Sequence, residues 1–208
     1  MIFSSSKQFI FFAVPKTGTH SVREALRPTL SQGDWEQQQL TGRMLSPIDE
    51  IAALGHGHIS YQQLSHAVDP EILATYFSFA FVRHPIERFM SVCAFLARTD
   101  PEYDADPIAW AKRAFQFERF RQRVLVRPQA ELLTNRRGEI ALSFIGRYEA
   151  IERDVNLICQ QIGTPPPQLK KRNVTGNTKP AVYEDVAFTQ ELESFYEKDF
   201  NLLGYSRN

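Results

Sequence analysis

Six apolar residues in a row, Phe9 to Val14, run straight into Pro15-Lys16-Thr17-Gly18-Thr19-His20-Ser21, and a helical pattern follows at once. No other feature narrows the fold so far. The run lacks the alternation of a strand with one wet face, so it reads as a strand buried on both sides. Val22, Ala25, Leu26 and Leu30 recur at helical spacing, which predicts a helix from Thr19 to Leu30. A turn from a buried strand into a helix N-terminus leaves backbone N–H groups without internal partners, and the helix dipole adds positive potential. Such a turn binds phosphate or sulfate. Gly18 lets the backbone approach an anion, Thr17, Thr19 and Ser21 offer hydroxyls, and Lys16 brings a full charge. The bland alternative is a plain helix cap beside a surface lysine. Compared with the GxxxxGK[ST] loop of nucleoside triphosphatases, the lysine here precedes the glycine and only one glycine is present. No strand ends in an obvious magnesium-holding aspartate, which disfavours ordinary ATP or GTP hydrolysis.

Beyond this turn, apolar runs of strand length alternate with stretches of helical period, the pattern of an α/β fold with a largely parallel sheet. Residues 31–53 read as a surface excursion, and Ala53 to Ser60 as a short strand ending in His56-Gly57-His58. Tyr76 to Val82 is a second buried strand, followed by Arg83-His84-Pro85 and a helix through Ile86, Met90, Cys93 and Ala97. A helix over 108–125 is predicted next. Ala130 to Thr134 and Glu139 to Ile145, joined by Asn135-Arg136-Arg137-Gly138, read as a hairpin or two short strands. Helices from Ile151 to Ile162 and from Thr189 to Asp199 complete the reading. With 208 residues, 43% hydrophobic and 23% charged, the expectation is a single globular domain over residues 1–208.

Net charge is zero, so the molecular field gives no reason to expect nucleic acid or an anionic membrane as partner. Cys93 and Cys159 lie outside any CxxC or Cys/His spacing and are expected to be buried free thiols. That points to a reducing compartment. The six-residue apolar run meets Pro15-Lys16 too soon for a signal peptide, and no stretch approaches the ~20 apolar residues of a membrane span. A cytoplasmic protein is the expectation.

Arg83, at the carboxyl end of a parallel strand, lies on the edge where open α/β sheets bind ligands. Its fork suits a terminal phosphate, and Ser91, eight residues on, adds a hydroxyl. At this point the chain resembles a known family. Pro-Lys-Thr-Gly-Thr-x-Ser after the first strand is similar to the 5′-phosphosulfate loop of sulfotransferases, particularly the carbohydrate-modifying branch. Val-Arg-x-Pro-x-x-Arg-x-x-Ser is similar to that family's 3′-phosphate segment. The likeness continues in Phe144-Ile145-Gly146-Arg147-Tyr148-Glu149, in the helix holding Asp154, in Asn173-Val174-Thr175, and in the Asp199-Phe200 to Gly204-Tyr205 tail.

The resemblance implies a three-layer, P-loop-like α/β fold, with a mainly parallel central sheet flanked by helices. It also implies 3′-phosphoadenosine-5′-phosphosulfate as sulfuryl donor. Lys16 would contact the bridging oxygen and 5′-phosphosulfate, with Thr17, Gly18, Thr19, His20 and Ser21 wrapping the phosphate. Arg83 and Ser91 would hold the 3′-phosphate, and Arg172, Asn173 and Thr175 would approach the nucleotide from a late loop. His20 departs from the small residue usual at its position. Arg88 is expected to support its helix.

Sulfuryl transfer needs an in-line nucleophile and stabilisation of the leaving oxygen, which lysine and backbone dipoles can supply without a metal. No metal is expected, since the sequence holds no convincing ligand cluster. An acceptor hydroxyl also needs its proton removed. His56 and His58 are the candidates, because histidine titrates near neutrality and the flanking glycines permit close approach. His-Gly-His-x-x-Tyr resembles a segment of uronyl 2-O-sulfotransferases in which the second histidine is the base. That makes His58 the expected base and His56 the second choice. The alternative is that both only hydrogen-bond loop backbone. Glu149 reads as a charge at a helix N-terminus rather than a base. Arg113, Arg119, Arg121, Arg123 and Arg127 read as a solvated helix face that an anionic saccharide would also suit. The acceptor expected from the resemblance is a carbohydrate hydroxyl. Two rivals stand: a small-molecule kinase, which requires magnesium and a triphosphate, and a non-catalytic nucleotide-binding domain.

Overall fold

The computed structural model describes residues 1–38, 46–166 and 181–207. Its elements in chain order are β1 (Ile2–Ser4), β2 (Phe9–Phe12), α1 (Thr19–Leu26), β3 (Trp35–Glu36), α2 (Asp49–Ala52), α3 (Tyr61–Ala67) and α4 (Pro70–Thr75). There follow β4 (Phe77–Val82), α5 (Pro85–Leu96), α6 (Pro101–Ala105), α7 (Pro107–Gln116), α8 (Glu118–Arg121) and α9 (Ala130–Leu133). The last are β5 (Phe144–Arg147), α10 (Ile151–Gln161), α11 (Val186–Phe195) and α12 (Glu197–Leu203). The chain forms two compact units, one within Met1–Val82 and Glu131–Lys170, the other within Arg83–Ala130 and Lys171–Asn208.

The first unit holds the sheet, whose order among the described residues is β3-β1-β2-β4-β5. The pairs β3–β1 and β1–β2 are antiparallel, while β2–β4 and β4–β5 are parallel. The class is therefore α/β, with a mixed sheet that is parallel where β2, β4 and β5 meet and with helices flanking it. Both faces of β2 are buried, as its unbroken apolar run requires. Phe9 and Phe11 join Phe79 and Phe81 of β4 on one face, under Val22 and Leu26 of α1 and Val155, Ile158 and Cys159 of α10. The rings of Phe11 and Phe79 stack with centroids 5.3 Å apart. On the opposite face Phe12 meets Tyr61 of α3 at 6.0 Å. Each fully buried phenylalanine contributes about 1.5–3 kcal/mol, so this aromatic ladder is a principal reason the strands stay in register. Gly146 of β5 faces Phe81 so closely that a Cβ would lie 2.7 Å from the ring.

The second unit has its own core. Phe89, Val92 and Cys93 of α5, Ala111 and Phe115 of α7, Phe120, Phe188, Leu192, Tyr196 and Phe200 pack together. Phe89 meets Phe115 and Phe188 edge to face. Cys93 and Cys159 are buried free thiols, and burial pushes the Cys93 thiol up to about 12. Among the described residues no helix is long and apolar enough to cross a membrane.

Several elements differ from their sequence expectation. α1 stops at Leu26 rather than Leu30, because Pro28 follows and the chain tightens into a 3-10 turn over Arg27–Thr29. The helix expected over 108–125 breaks at Phe117, whose extended backbone (φ −83, ψ 120) separates α7 from α8. α7 itself begins where the Asp106 carboxylate accepts the N–H groups of Ile108 and Ala109. The final helix starts earlier, at Val186, and is interrupted at Tyr196. The segment Ala53 to Ser60 holds a turn instead of a strand, with Gly55 at φ +66 after α2. Ala130–Leu133 is a helical turn and not a strand. A single antiparallel bridge, Thr134 to Ile140, spans the Asn135–Gly138 turn, and the true strand is Phe144–Arg147. Two short strands, β1 and β3, had no expectation at all.

Candidate active site

The turn after β2 leads straight into α1, in the strand–turn–helix order expected from the sequence. Lys16 lies at φ 63 and Gly18 at φ 79, both in the left-handed region. Gly18 tolerates that conformation and Lys16 is strained by it, a condition that clusters at functional sites. Glycine is also required for space, since a Cβ at position 18 would stand 2.6 Å from Ile151 Cδ1 and 3.3 Å from the Tyr148 ring. Gly18 occupies the capping position of α1, so no side chain closes this helix end. The N-termini of α3, α4, α7 and α11, by contrast, are closed by Ser60, Asp69, Asp106 and Asp185.

The hydroxyls divide in role. Thr17 is fully buried and its Oγ1 donates to the Val14 carbonyl at 3.0 Å, closing the turn on itself. What Thr17 can still offer an anion is its backbone N–H. Thr19 and Ser21 are half-buried on the first turn of α1. His20 points away along the helix, its Nε2 3.0 Å from Glu24. Behind the turn, Asp154 accepts the Arg147 N–H at 2.7 Å and fixes the end of β5, from which Tyr148 reaches Gly18. Glu149 is exposed, in the 3-10 turn Tyr148–Ala150 that leads into α10.

The histidine segment is tied to the same turn. His58 Nδ1 lies 2.7 Å from the carbonyl of Ala13, one residue before Val14. Donation from Nδ1 to that carbonyl leaves Nε2 as the unprotonated nitrogen. His56 is oriented differently: its Nδ1 accepts the His58 backbone N–H at 3.3 Å. Burial lowers both imidazoles, and His58 falls to about 3, with the Arg23 guanidinium among the charges that oppose protonation. Arg23 also braces the segment, donating to the carbonyls of Gly57 (3.3 Å) and Gln37 (3.2 Å). Only glycine fits between the two histidines, because a Cβ on Gly57 would come within 2.1 Å of the Gln37 oxygen.

In the second unit, Arg83 directly follows β4. Its side chain is 13% exposed and its guanidinium lies 3.3 Å from Glu87 one helical turn on. Ser91 is half-buried a further turn along α5, on the same face as Glu87. Arg88 is wholly buried and donates to the carbonyls of Leu125 (2.8 Å), Val126 (3.1 Å) and Arg127 (2.7 Å). It is a structural residue. The backbone of Arg83 is held by the Gln129 amide, whose Nε2 donates to the Arg83 carbonyl at 2.8 Å and whose Oε1 accepts the Arg83 N–H at 3.0 Å. Sequence reasoning missed Gln129, and a lone glutamine after a proline carries no signal that would have found it.

Arg172, Asn173 and Thr175 lie outside the described residues. The arginine-rich stretch is largely engaged with its own surroundings. Arg113 pairs with Glu102 at 2.7 Å, Arg121 donates to the Phe115 carbonyl, and Arg119 and Arg123 lie over Phe117 and Phe120. Among the described residues no group of three or more His, Cys, Asp or Glu side chains is placed to hold a metal ion.

The first unit thus holds a strand-to-helix turn with a lysine and an uncapped helix end, with a histidine tethered to the strand end just before it. A family model described as the sulfotransferase family matches residues 1–206, and the chain belongs to that family. It is a transferase, and its reaction class is sulfuryl transfer. No curated protein and no solved structure matches it.

Proposed function

We propose that the protein moves the sulfuryl group of 3′-phosphoadenosine-5′-phosphosulfate to an acceptor hydroxyl, with a carbohydrate as the acceptor class. The observation that carries this reading is the turn at Lys16-Thr17-Gly18, with its left-handed backbone, its uncapped helix end and His58 anchored to Ala13 alongside. Lys16 takes the bridging oxygen and the 5′-phosphate, assisted by backbone N–H groups from Thr17 to Ser21. Arg83 and Ser91 take the 3′-phosphate, the group that separates this donor from common adenine nucleotides. Arg172, Asn173 and Thr175 are assigned to the nucleotide by family likeness alone. The carbohydrate assignment rests on family likeness, in the loop at residues 15–21 and in the His56-Gly57-His58-x-x-Tyr61 pattern.

In the reaction, the acceptor oxygen attacks sulfur in line with the leaving phosphate oxygen. The new O–S bond forms as the S–O–P bridge breaks, and the acceptor proton passes to Nε2 of His58. Lys16 stabilises the negative charge left on the bisphosphate. An imidazole lowered to about 3 is a weak base by itself. An anionic donor beside it favours the imidazolium and raises that value toward the working range.

The test is calorimetric binding of 3′-phosphoadenosine 5′-phosphate, AMP and ATP, each with EDTA and again with magnesium, on wild type and Arg83→Ala. The expected result is tight binding of the bisphosphate alone, weakened about 10- to 100-fold by the substitution. Preference for ATP with magnesium overturns the reading in favour of a kinase. Bisphosphate binding with no sulfuryl turnover on any acceptor favours a non-catalytic nucleotide-binding domain.

A further inference from the structure

Arg83 follows the last residue of β4, where an ordinary strand end would be loose. Here the chain is gripped through its main chain. The two bonds between the Gln129 side-chain amide and the Arg83 N–H and carbonyl reproduce the donor–acceptor pair that a neighbouring strand residue would supply. Gln129 is fully buried and is itself fixed. Asp199 of α12 accepts its backbone N–H at 3.0 Å and its Nε2 at 3.2 Å, and takes the Ala130 N–H at 2.8 Å.

The loop that carries Gln129 is held from the other direction too. Its carbonyls at Leu125, Val126 and Arg127 receive the Arg88 guanidinium, and the Tyr196 hydroxyl donates to Val126 at 2.7 Å. His84, next to Arg83, meets the rings of Phe200 and Tyr205 edge-on at 5.6 and 5.5 Å. Its Nε2 lies 3.3 Å from the Ser206 carbonyl. The terminal Asp199-Phe200…Tyr205 motif therefore converges on residues 83 and 84.

We infer that Gln129, set by Asp199, is a positioning residue for Arg83, and that the terminal motif aligns the arginine that recognises the 3′-phosphate. This rests on the donor reading above. A fixed main chain at position 83 lets the guanidinium meet its phosphate without first being ordered.

The experiment compares Gln129→Met, which matches the side chain in size but lacks both polar atoms, with wild type and Asp199→Asn in the full-length chain. Dissociation constants are measured for 3′-phosphoadenosine 5′-phosphate and for AMP. Gln129→Met is expected to lower the preference for the bisphosphate about tenfold while AMP affinity holds, with Asp199→Asn intermediate. In an Arg83→Ala background Gln129→Met should lower the preference no further. If wild type prefers the bisphosphate and Gln129→Met leaves that ratio intact, or weakens both ligands equally, the positioning role is overturned and the donor reading survives. If Gln129→Met does not fold, an unchanged ratio in Asp199→Asn overturns it in the same way. If wild type itself shows no preference, the donor reading falls and this inference with it.

Discussion

In the proposed reaction His58 carries the proton transfer in one ring. Its Nδ1 is committed to Ala13, so the tautomer, the ring orientation and the available nitrogen are all decided by one 2.7 Å bond. Asparagine can imitate that half of the ring, placing an amide N–H where Nδ1 was and nothing where Nε2 was. His58→Asn is therefore expected to keep the fold and bisphosphate binding while lowering kcat by ~10²–10⁴-fold, read by steady-state assay beside calorimetry. Retained kcat would move the base elsewhere, with His56 next to be tried. His56 has the opposite arrangement, since its Nδ1 accepts a backbone N–H.

The element that matters most is the turn between β2 and α1, and it is also the most legible. A six-residue apolar run, one lysine, one glycine and a helical period fix its path, because burial on both faces and an open helix end leave little choice. Gly18→Ala forces a side chain into a left-handed backbone and against Ile151. It should lower stability by about 1–3 kcal/mol in thermal denaturation and abolish bisphosphate binding in calorimetry. Other elements were hidden for physical reasons. β1 and β3 have three and two residues, too few for a pattern. The helical turn Ala130–Leu133 exists because a carboxylate distant in sequence, Asp199, takes its leading N–H groups. The break at Tyr196 accompanies a fully buried ring whose hydroxyl bonds Val126. Local spacing cannot report a partner 70 residues away. The same limit explains why Lys16, His58 and Arg83 could be proposed from the sequence, while the grip of Gln129 on the Arg83 main chain could not be foreseen.

For the molecule as a whole, the half-buried histidines tie stability to pH. His58 ordinarily titrates at 6.5 and here near 3, so between those values the unfolded chain holds a proton that the native chain lacks. Stability is then expected to fall as pH drops below 6.5, with His56 acting in the same sense. Burial raises the Asp199 carboxyl above 3.8, against the pull of Arg88 and its N–H donors, and this acts with opposite sign just above that value. Because Asp199 is common to both proteins, comparing wild type with His58→Asn isolates the histidine. The variant's melting temperature should change less steeply from pH 6.5 to 4. Equal slopes would mean that the His58 ring protonates as readily in the native chain as in the unfolded one.

Both compact units are discontinuous in sequence, and the sheet is the part most exposed by that order. β4 pairs with β2, already made, and with β5, whose residues Phe144–Arg147 emerge from the ribosome only after residues 83–143. Through that interval of synthesis the nascent chain carries Phe77-Ser78-Phe79-Ala80-Phe81-Val82 with one edge open. An uncharged aromatic strand with a bare edge is a template for wrong pairing. Its protection during translation falls to chaperones or to speed, and poor yield on rapid overexpression would have its origin in this one strand.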